Sequence, residues 1–249
     1  MCTRTTSDVQ ASHTCCAQNI QPLYSATEMT KETYPLITGS SIFDAVILCD
    51  GDYPSHSIPL SILKQAKYLV CCDGAGMKHI LHGGVPNAIV GDGDSLPTDF
   101  KRRYADILHI VHEQEDNDQT KATRYCISQG CKRIAYLGST GKREDHTLGN
   151  ISLLVRYMTD FQLDVTMVTD NGYFTPATGT QTFQSFARQQ ISIFNFGCTA
   201  LSGKGFRWAP YPYQEFWQGA LNEALGDEIT IEANGNYLLF HTFEAKKEK

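Results

Sequence analysis

The chain has 249 residues, 41% of them hydrophobic, with 21 Lys and Arg against 27 Asp and Glu for a formal net charge of −6. That length is too great for a disulfide-stapled mini-protein and allows one large domain or two modest ones, while the negative balance speaks against unspecific nucleic-acid binding. No apolar run approaches the roughly 20 residues that span a bilayer, and nine cysteines without a Cys-x-x-Cys pair read as thiols of a reducing compartment, so the expected location is cytoplasmic.

Residues 1–40, rich in Ser, Thr and Gln and without a period, read as a flexible N-terminal arm. From 41 to 175, short β-branched runs alternate with segments of helical spacing, the pattern of βαβ units and a parallel sheet. The predicted strands are Ala45–Cys49, Tyr68–Cys72, Ala88–Val90, Ile107–Val111, Arg133–Leu137 and Val165–Val168. The predicted helices are Pro59–Gln65, Ala75–His82, Thr98–Tyr104, Gln119–Gln129 and His146–Met158, the last with Leu148, Ile151, Leu154, Val155 and Met158 on one face. Beyond Asp170 strand alternation takes over, as in Ile191-Ser-Ile193 and Ile229-Thr-Ile231, so residues 176–249 read as an all-β domain. Thr175-Pro176-Ala177-Thr178-Gly179 reads as the linker, and Asn234-Gly235 predicts a hairpin joining Ile229–Ile231 to Tyr237–Phe240.

In a parallel sheet the loops that follow the strands open onto one edge, where ligands of open α/β folds bind. These loops read Asp50-Gly51-Asp52, Asp73-Gly74-Ala75-Gly76, Gly91-Asp92-Gly93-Asp94-Ser95, Glu113 to Thr120, and Gly138-Ser-Thr-Gly141-Lys142-Arg143-Glu144-Asp145-His146. Carboxylates thus gather on one rim, yet two unit charges about 4 Å apart repel by about 4 kcal/mol at an effective dielectric near 20. A hard divalent cation relieves that repulsion, and Mg²⁺ characteristically takes one or two carboxylates together with substrate phosphates. The rim therefore reads as a Mg²⁺-nucleotide site, although neither a P-loop nor a Gly-x-Gly-x-x-Gly fingerprint is present.

Each acid has a plainer reading by itself. Asp92-Gly-Asp94 can be a strand-end turn, Asp118 an N-cap, Asp73 the closure of a strand–helix turn, and Asp145 a partner of the helix dipole. Only the collective placement argues for a site. Arg143, before a helix N-terminus, offers a guanidinium to a phosphate, and Lys142 reads as a solvated partner of Glu144. His146 reads as standing behind that site.

The ordered blocks Asp73-Gly-Ala75, Gly91-Asp92-Gly93-Asp94-Ser95, Asp116-Asn-Asp118-Gln-Thr120 and Arg143-Glu-Asp145-His146 with Asn150 resemble the thiamin pyrophosphokinases, over roughly residues 44–241. The resemblance implies a Rossmann-like α/β/α domain followed by a β-sandwich, a homodimer with shared active sites, and Mg²⁺-dependent transfer of pyrophosphate from the co-substrate ATP to thiamin, giving thiamin diphosphate and AMP. Asp92 and Asp94 would hold Mg²⁺, with Asp118 and Asp145 completing the carboxylate set. Asp73 and Arg143 would face the nucleotide and its phosphates, in company with Gly74, Ser95, Gln119, Thr120 and His146. Either Asp118 or Asp73 would serve as general base. In the second domain Gly205-Phe-Arg-Trp208 is similar to the family's Gly-Leu-Lys-Trp segment, whose indole lies against thiamin, and Trp208 reads as a ligand contact ahead of the alternative, sandwich core; Asn222 is a candidate thiamin contact.

Three positions depart from the family pattern: Gly93 where a bulky residue is usual, Lys121 where an acid is usual, and Leu221 where a serine is usual. Lys121 would reach a phosphate instead. Two other functions fit the same rim: a non-catalytic nucleotide or thiamin sensor, and a transferase that uses Asp-x-Asp to hold a nucleotide-sugar.

Overall fold

Strand β1 (Ala45–Leu48) is a continuous apolar run buried on both faces, as a central strand covered by helices on each side must be. In the computed structural model, which describes residues 33–247, it lies within a ten-stranded sheet. The chain continues through α1 (Ser57–Lys64), β2 (Leu69–Cys72), α2 (Gly74–Leu81), β3 (Ala88–Gly91), α3 (Thr98–Arg103) and β4 (Leu108–Ile110). It then adds α4 (Asp118–Ser128), β5 (Arg133–Leu137), α5 (Glu144–Thr159) and β6 (Asp164–Val168). These six strands are parallel in the order β6-β5-β1-β2-β3-β4. The chain first travels outward from β1 to β4 and then restarts on the other side of β1 with β5. The crevice beyond the ends of β1 and β5 is therefore the switch point where such sheets bind ligands.

Two apolar layers sandwich the parallel region. Ile47, Val70, Val90, Ile134 and Val165 face α4 and α5, whereas Val46, Leu48, Ile89 and Leu137 pack with Ile62 and Leu63 of α1 and Ala75 of α2. Burying each large aliphatic side chain is worth about 1.5–3 kcal/mol, so this alternation fixes the register of every strand. On α5, Leu154 is fully buried, but Leu148 is 67% exposed, and the buried residues of the helix are Leu154, Val155 and Tyr157. The predicted apolar stripe therefore fails at its N-terminal end.

The β-rich half comprises β7 (Gly172–Thr178), β8 (Gln181–Gln184), β9 (Gln189–Phe196), β10 (Leu201–Lys204), β11 (Asn222–Glu223), β12 (Glu228–Ala233) and β13 (Asn236–Ala245). Residues 175–178, which read as linker, belong to β7, and β7 pairs antiparallel with β6, so the large sheet runs on through β7, β13, β9 and β11. A second sheet, β10-β12-β8, covers it. Ile191, Ile193, Tyr237 and Leu239 of the first meet Phe183, Leu201, Ile229 and Ile231 of the second, forming the expected β-sandwich.

Asn234-Gly235 does not close a hairpin. Neither residue has positive φ, as a two-residue type I′ turn demands, and β12 and β13 lie in different sheets. The Asn234 carboxamide instead accepts the backbone N–H groups of Thr199 and Ala200, which directs the chain across the sandwich. Of the stretch read as an arm, residues 1–32 lie outside the described residues. In residues 33–40, Tyr34 bridges to Phe183 and stacks on its ring at 4.7 Å, and Ile37 is buried.

Candidate active site

Five loops at the C-terminal ends of the parallel strands enclose a cleft of about 740 Å³, within the size range of small-molecule sites. Asp73, at the turn from β2 into α2, has φ +37°, a conformation that costs a non-glycine residue on the order of 1–3 kcal/mol. Its carboxylate reaches the next loop, where it accepts the Gly93 N–H and the Ser95 hydroxyl, each at 3.0 Å. Gly91 makes room for it, since a Cβ there would stand 2.5 Å from Asp73 Oδ1. Gly93 has φ +77°, and a side chain would meet Ile110 Cδ1 at 2.6 Å, which accounts for the missing bulky residue.

Asp92 accepts the Asp94 N–H at 3.0 Å, and that bond is the main reason its carboxyl is held below the usual range. Asp94 is exposed and lines the cleft. Asp118 is not a cap. Asn117 accepts the Thr120 N–H and caps α4, which leaves Asp118, the first helical residue, to face the cleft. Burial, and then the negative charge of Asp73, pushes the Asp118 carboxyl up; burial does the same to Asp73, with Asp92 adding to it. Asp73, Asp92 and Asp118 therefore share one electrostatic field.

Gly74, Ser95, Gln119, Lys121, Arg143 and His146 also line the cleft. Gln119 is buried and donates to the Asn150 carbonyl at 3.2 Å. Four residues stand elsewhere. Asp145 does not line the cleft; it is 62% exposed and held by a two-point contact with Arg143, at 3.1 and 2.6 Å. Thr120 is buried away from it, its hydroxyl bonded to Asn117 Oδ1 and, at 2.7 Å, to the Tyr157 hydroxyl.

Trp208 and Asn222 lie in the β-sandwich, outside the cleft walls. Trp208 is 51% exposed and so is not core; the buried residue of its segment is Phe206. Asn222 is buried with its carboxamide bonded to the backbone N–H and C=O of Trp208, at 3.2 and 2.8 Å, which fixes the backbone of the exposed indole.

Sequence reasoning missed Ser139. Its hydroxyl is buried on the cleft wall without a hydrogen-bond partner, an arrangement that a bound polar group would satisfy. Lys142 pairs with Asp50 at 2.9 Å rather than with Glu144, and Lys78 holds the same carboxylate at 2.6 Å. Asp116 is committed to Arg124 and Arg156, at 2.7 and 3.1 Å, and acts as a tie between α4 and α5.

Residues 60–169 match the family described as the thiamin pyrophosphokinase catalytic domain, and residues 172–240 match the thiamin pyrophosphokinase substrate-binding domain. The chain belongs to the thiamin pyrophosphokinase family. It is 28% identical over 107 residues to thiamin pyrophosphokinase 1 of Caenorhabditis elegans, covering 39% of this chain and 44% of that one. It is 30% identical over 139 residues to thiamine pyrophosphokinase 1 of Oryza sativa subsp. japonica, covering 45% and 52%. The chain thus matches about half the length of these relatives. Among solved structures, the yeast thiamin pyrophosphokinase superposes with a TM-score of 0.68 at 14% identity over 88% of this chain and 94% of that one. The thiamine pyrophosphokinase from Bacillus subtilis gives 0.65 at 19% identity over 80% and 99%. At such identities the likeness is one of fold. The two matched families meet between β6 and β7, where parallel pairing gives way to antiparallel.

Proposed function

We propose that this chain transfers the pyrophosphoryl group of ATP to the hydroxyl of thiamin in a Mg²⁺-dependent reaction, forming thiamin diphosphate and AMP. The observation that carries the reading is the gathering of Asp73, Asp92, Asp94 and Asp118 on one cleft at the switch point of the sheet. Family membership narrows the chemistry to this transfer.

The donor chemistry fits Mg²⁺. Asp92 and Asp94 supply hard carboxylate oxygens on one short loop, and Asp118 lines the same cleft. Among the described residues no three Asp, Glu, His or Cys side chains converge tightly enough to cage an ion unaided. Mg²⁺ needs no such cage, because it fills its octahedron with water and phosphate oxygens. When bound, it neutralises the charge of the transferred group.

The chain's own residues do the rest. The thiamin oxygen bonds to the β-phosphorus of ATP as the bond from that phosphorus to the α–β bridging oxygen breaks, and AMP leaves with that oxygen. Such transfers depend on positioning more than on covalent help. Asp73 shapes the loop that presents Asp92 and Asp94, Arg143 at the rim faces the phosphates, and the Ser139 hydroxyl offers them a hydrogen bond. The hydroxyl proton goes to an Asp118 oxygen not occupied by the metal, since Asp73 is committed to Gly93 and Ser95.

We read the acceptor as bound on the sandwich near Trp208 and Asn222, and the chain as a homodimer. Trp208, Tyr211, Phe216, Trp217 and Leu221 are each at least half exposed, and large exposed apolar side chains of this kind mark binding surfaces when they cluster. In a homodimer with shared active sites, these side chains would meet the partner subunit. Free thiols at all six described cysteines support a cytoplasmic setting. The test is incubation with ATP, Mg²⁺ and thiamin followed by mass detection of products. Thiamin diphosphate with AMP is the expected result; ADP in place of AMP, or binding without turnover, would overturn the reading.

A further inference from the structure

The three cations of the cleft are not equivalent. Lys142 and Arg143 are 47% and 71% exposed and already paired, with Asp50 and Asp145. The Lys121 side chain is 3% exposed, on the buried face of the first turn of α4. Its ammonium stands 3.6 Å from Asp118 Oδ1, beyond hydrogen-bond length, and its charge also lowers the Asp92 carboxyl. An ammonium carries three donors, and withdrawing one from water is costly unless carboxylates and a ligand compensate.

Resting on the reading of the cleft as a polyphosphate site, we propose that Lys121 is a fixed counter-ion: it neutralises Asp92 and Asp118 in the empty cleft and turns its free N–H donors to the polyphosphate when ATP binds. A covalently attached charge does not dissociate, so the cleft would work with fewer bound metal ions than its carboxylates suggest. The charges make two demands of opposite sign. Without Lys121, the carboxylates should draw free Mg²⁺ more strongly, because nothing inside the chain offsets them. A polyphosphate without metal should be held more weakly, because its one buried cationic partner is gone.

The experiment uses the full chain and two probes, MgCl₂ alone and inorganic tripolyphosphate with a chelator present, read by thermal unfolding and calorimetry. Lys121→Met, close in shape and uncharged, should bind tripolyphosphate about tenfold more weakly and bind Mg²⁺ more tightly. Lys121→Arg should keep both affinities within about threefold, since it preserves the charge. Lys121→Gln provides a second neutral variant should the methionine fail to fold. Parallel loss of both ligands, or no change in either, overturns the role of Lys121. Failure of the wild-type chain to bind tripolyphosphate at all overturns the polyphosphate reading itself. Because neither probe turns over, the result does not depend on whether thiamin is the acceptor.

Discussion

The carboxylate of Asp73 accepts the backbone N–H of Gly93 at 3.0 Å, so a side chain at the end of β2 sets the shape of the loop after β3. That loop needs φ +77° at residue 93 and leaves no room for a side chain beside Ile110. Gly93→Ala should destabilise the protein by about 1–3 kcal/mol, seen as a lower midpoint in urea, and should weaken metal-dependent turnover because Asp92 and Asp94 move with the loop. An unchanged midpoint would show that the loop accommodates a Cβ freely.

Thr120 serves structure. Its hydroxyl closes a buried bond to Tyr157, while Thr123 makes the equivalent bond to Tyr136 at 2.9 Å, and together they seat α4 on the core. Thr120→Val should cost about 1–3 kcal/mol of stability by leaving a buried hydroxyl unpartnered, and the KM for ATP should hold. A raised KM at unchanged stability would return Thr120 to the nucleotide site.

His241 on β13 is 1% exposed, stacks on Tyr173 at 4.9 Å, and has no hydrogen-bond partner for either ring nitrogen. Burial pushes its pKa down from 6.5 to about 3. Between those values the unfolded chain holds a proton that the folded chain refuses, so stability falls as pH drops through 6.5 and the loss levels off near 3. The slope attributable to this one group is about 1.4 kcal/mol per pH unit. His241→Leu should flatten that limb in denaturation midpoints measured from pH 7 to 4; a limb of unchanged slope would assign it to other groups.

Asp94 is exposed, and the Asp94→Asn substitution should leave stability within about 0.5 kcal/mol while lowering turnover by about 10²-fold or more. Near-normal turnover at saturating Mg²⁺ would remove Asp94 from metal binding.

Trp208 is half exposed, so Trp208→Ala should unfold like the wild type and raise the KM for thiamin far more than that for ATP. Equal loss for both substrates would tell against ligand contact. If the site is shared, verified mixed dimers of Asp94→Asn and Trp208→Ala chains should recover activity that neither variant has alone. Absence of recovery would mean that each chain works by itself.

The α/β half was legible because its strands are buried on both faces: runs such as Ala45–Leu48 and Arg133–Leu137 read as strands with no knowledge of their neighbours, and their observed ends lie within a residue or two of the reading. Asp73, Asp92, Asp94 and Asp118 were legible together because parallel strands deliver their following loops to one edge. What escaped depends on partners that local sequence does not name. Asn234-Gly235 carries a turn signal, but which sheet receives β13 is decided by Tyr237 and Leu239 packing into the sandwich. Asp145 shares its motif with Arg143 and turns to it rather than to the cleft. Leu148 obeys the helical period in the first half of α5, where no side chain is fully buried.

The antiparallel seam between β6 and β7, with Met167 opposite Phe174 and Val168 opposite Tyr173, joins the two halves through main-chain hydrogen bonds. Severing the chain there would strip one edge from each fragment and expose both to intermolecular strand pairing. The β-rich half is thus no detachable module. Exchange of one half for another in this architecture would require rebuilding the seam, whereas changes of exposed side chains leave it intact.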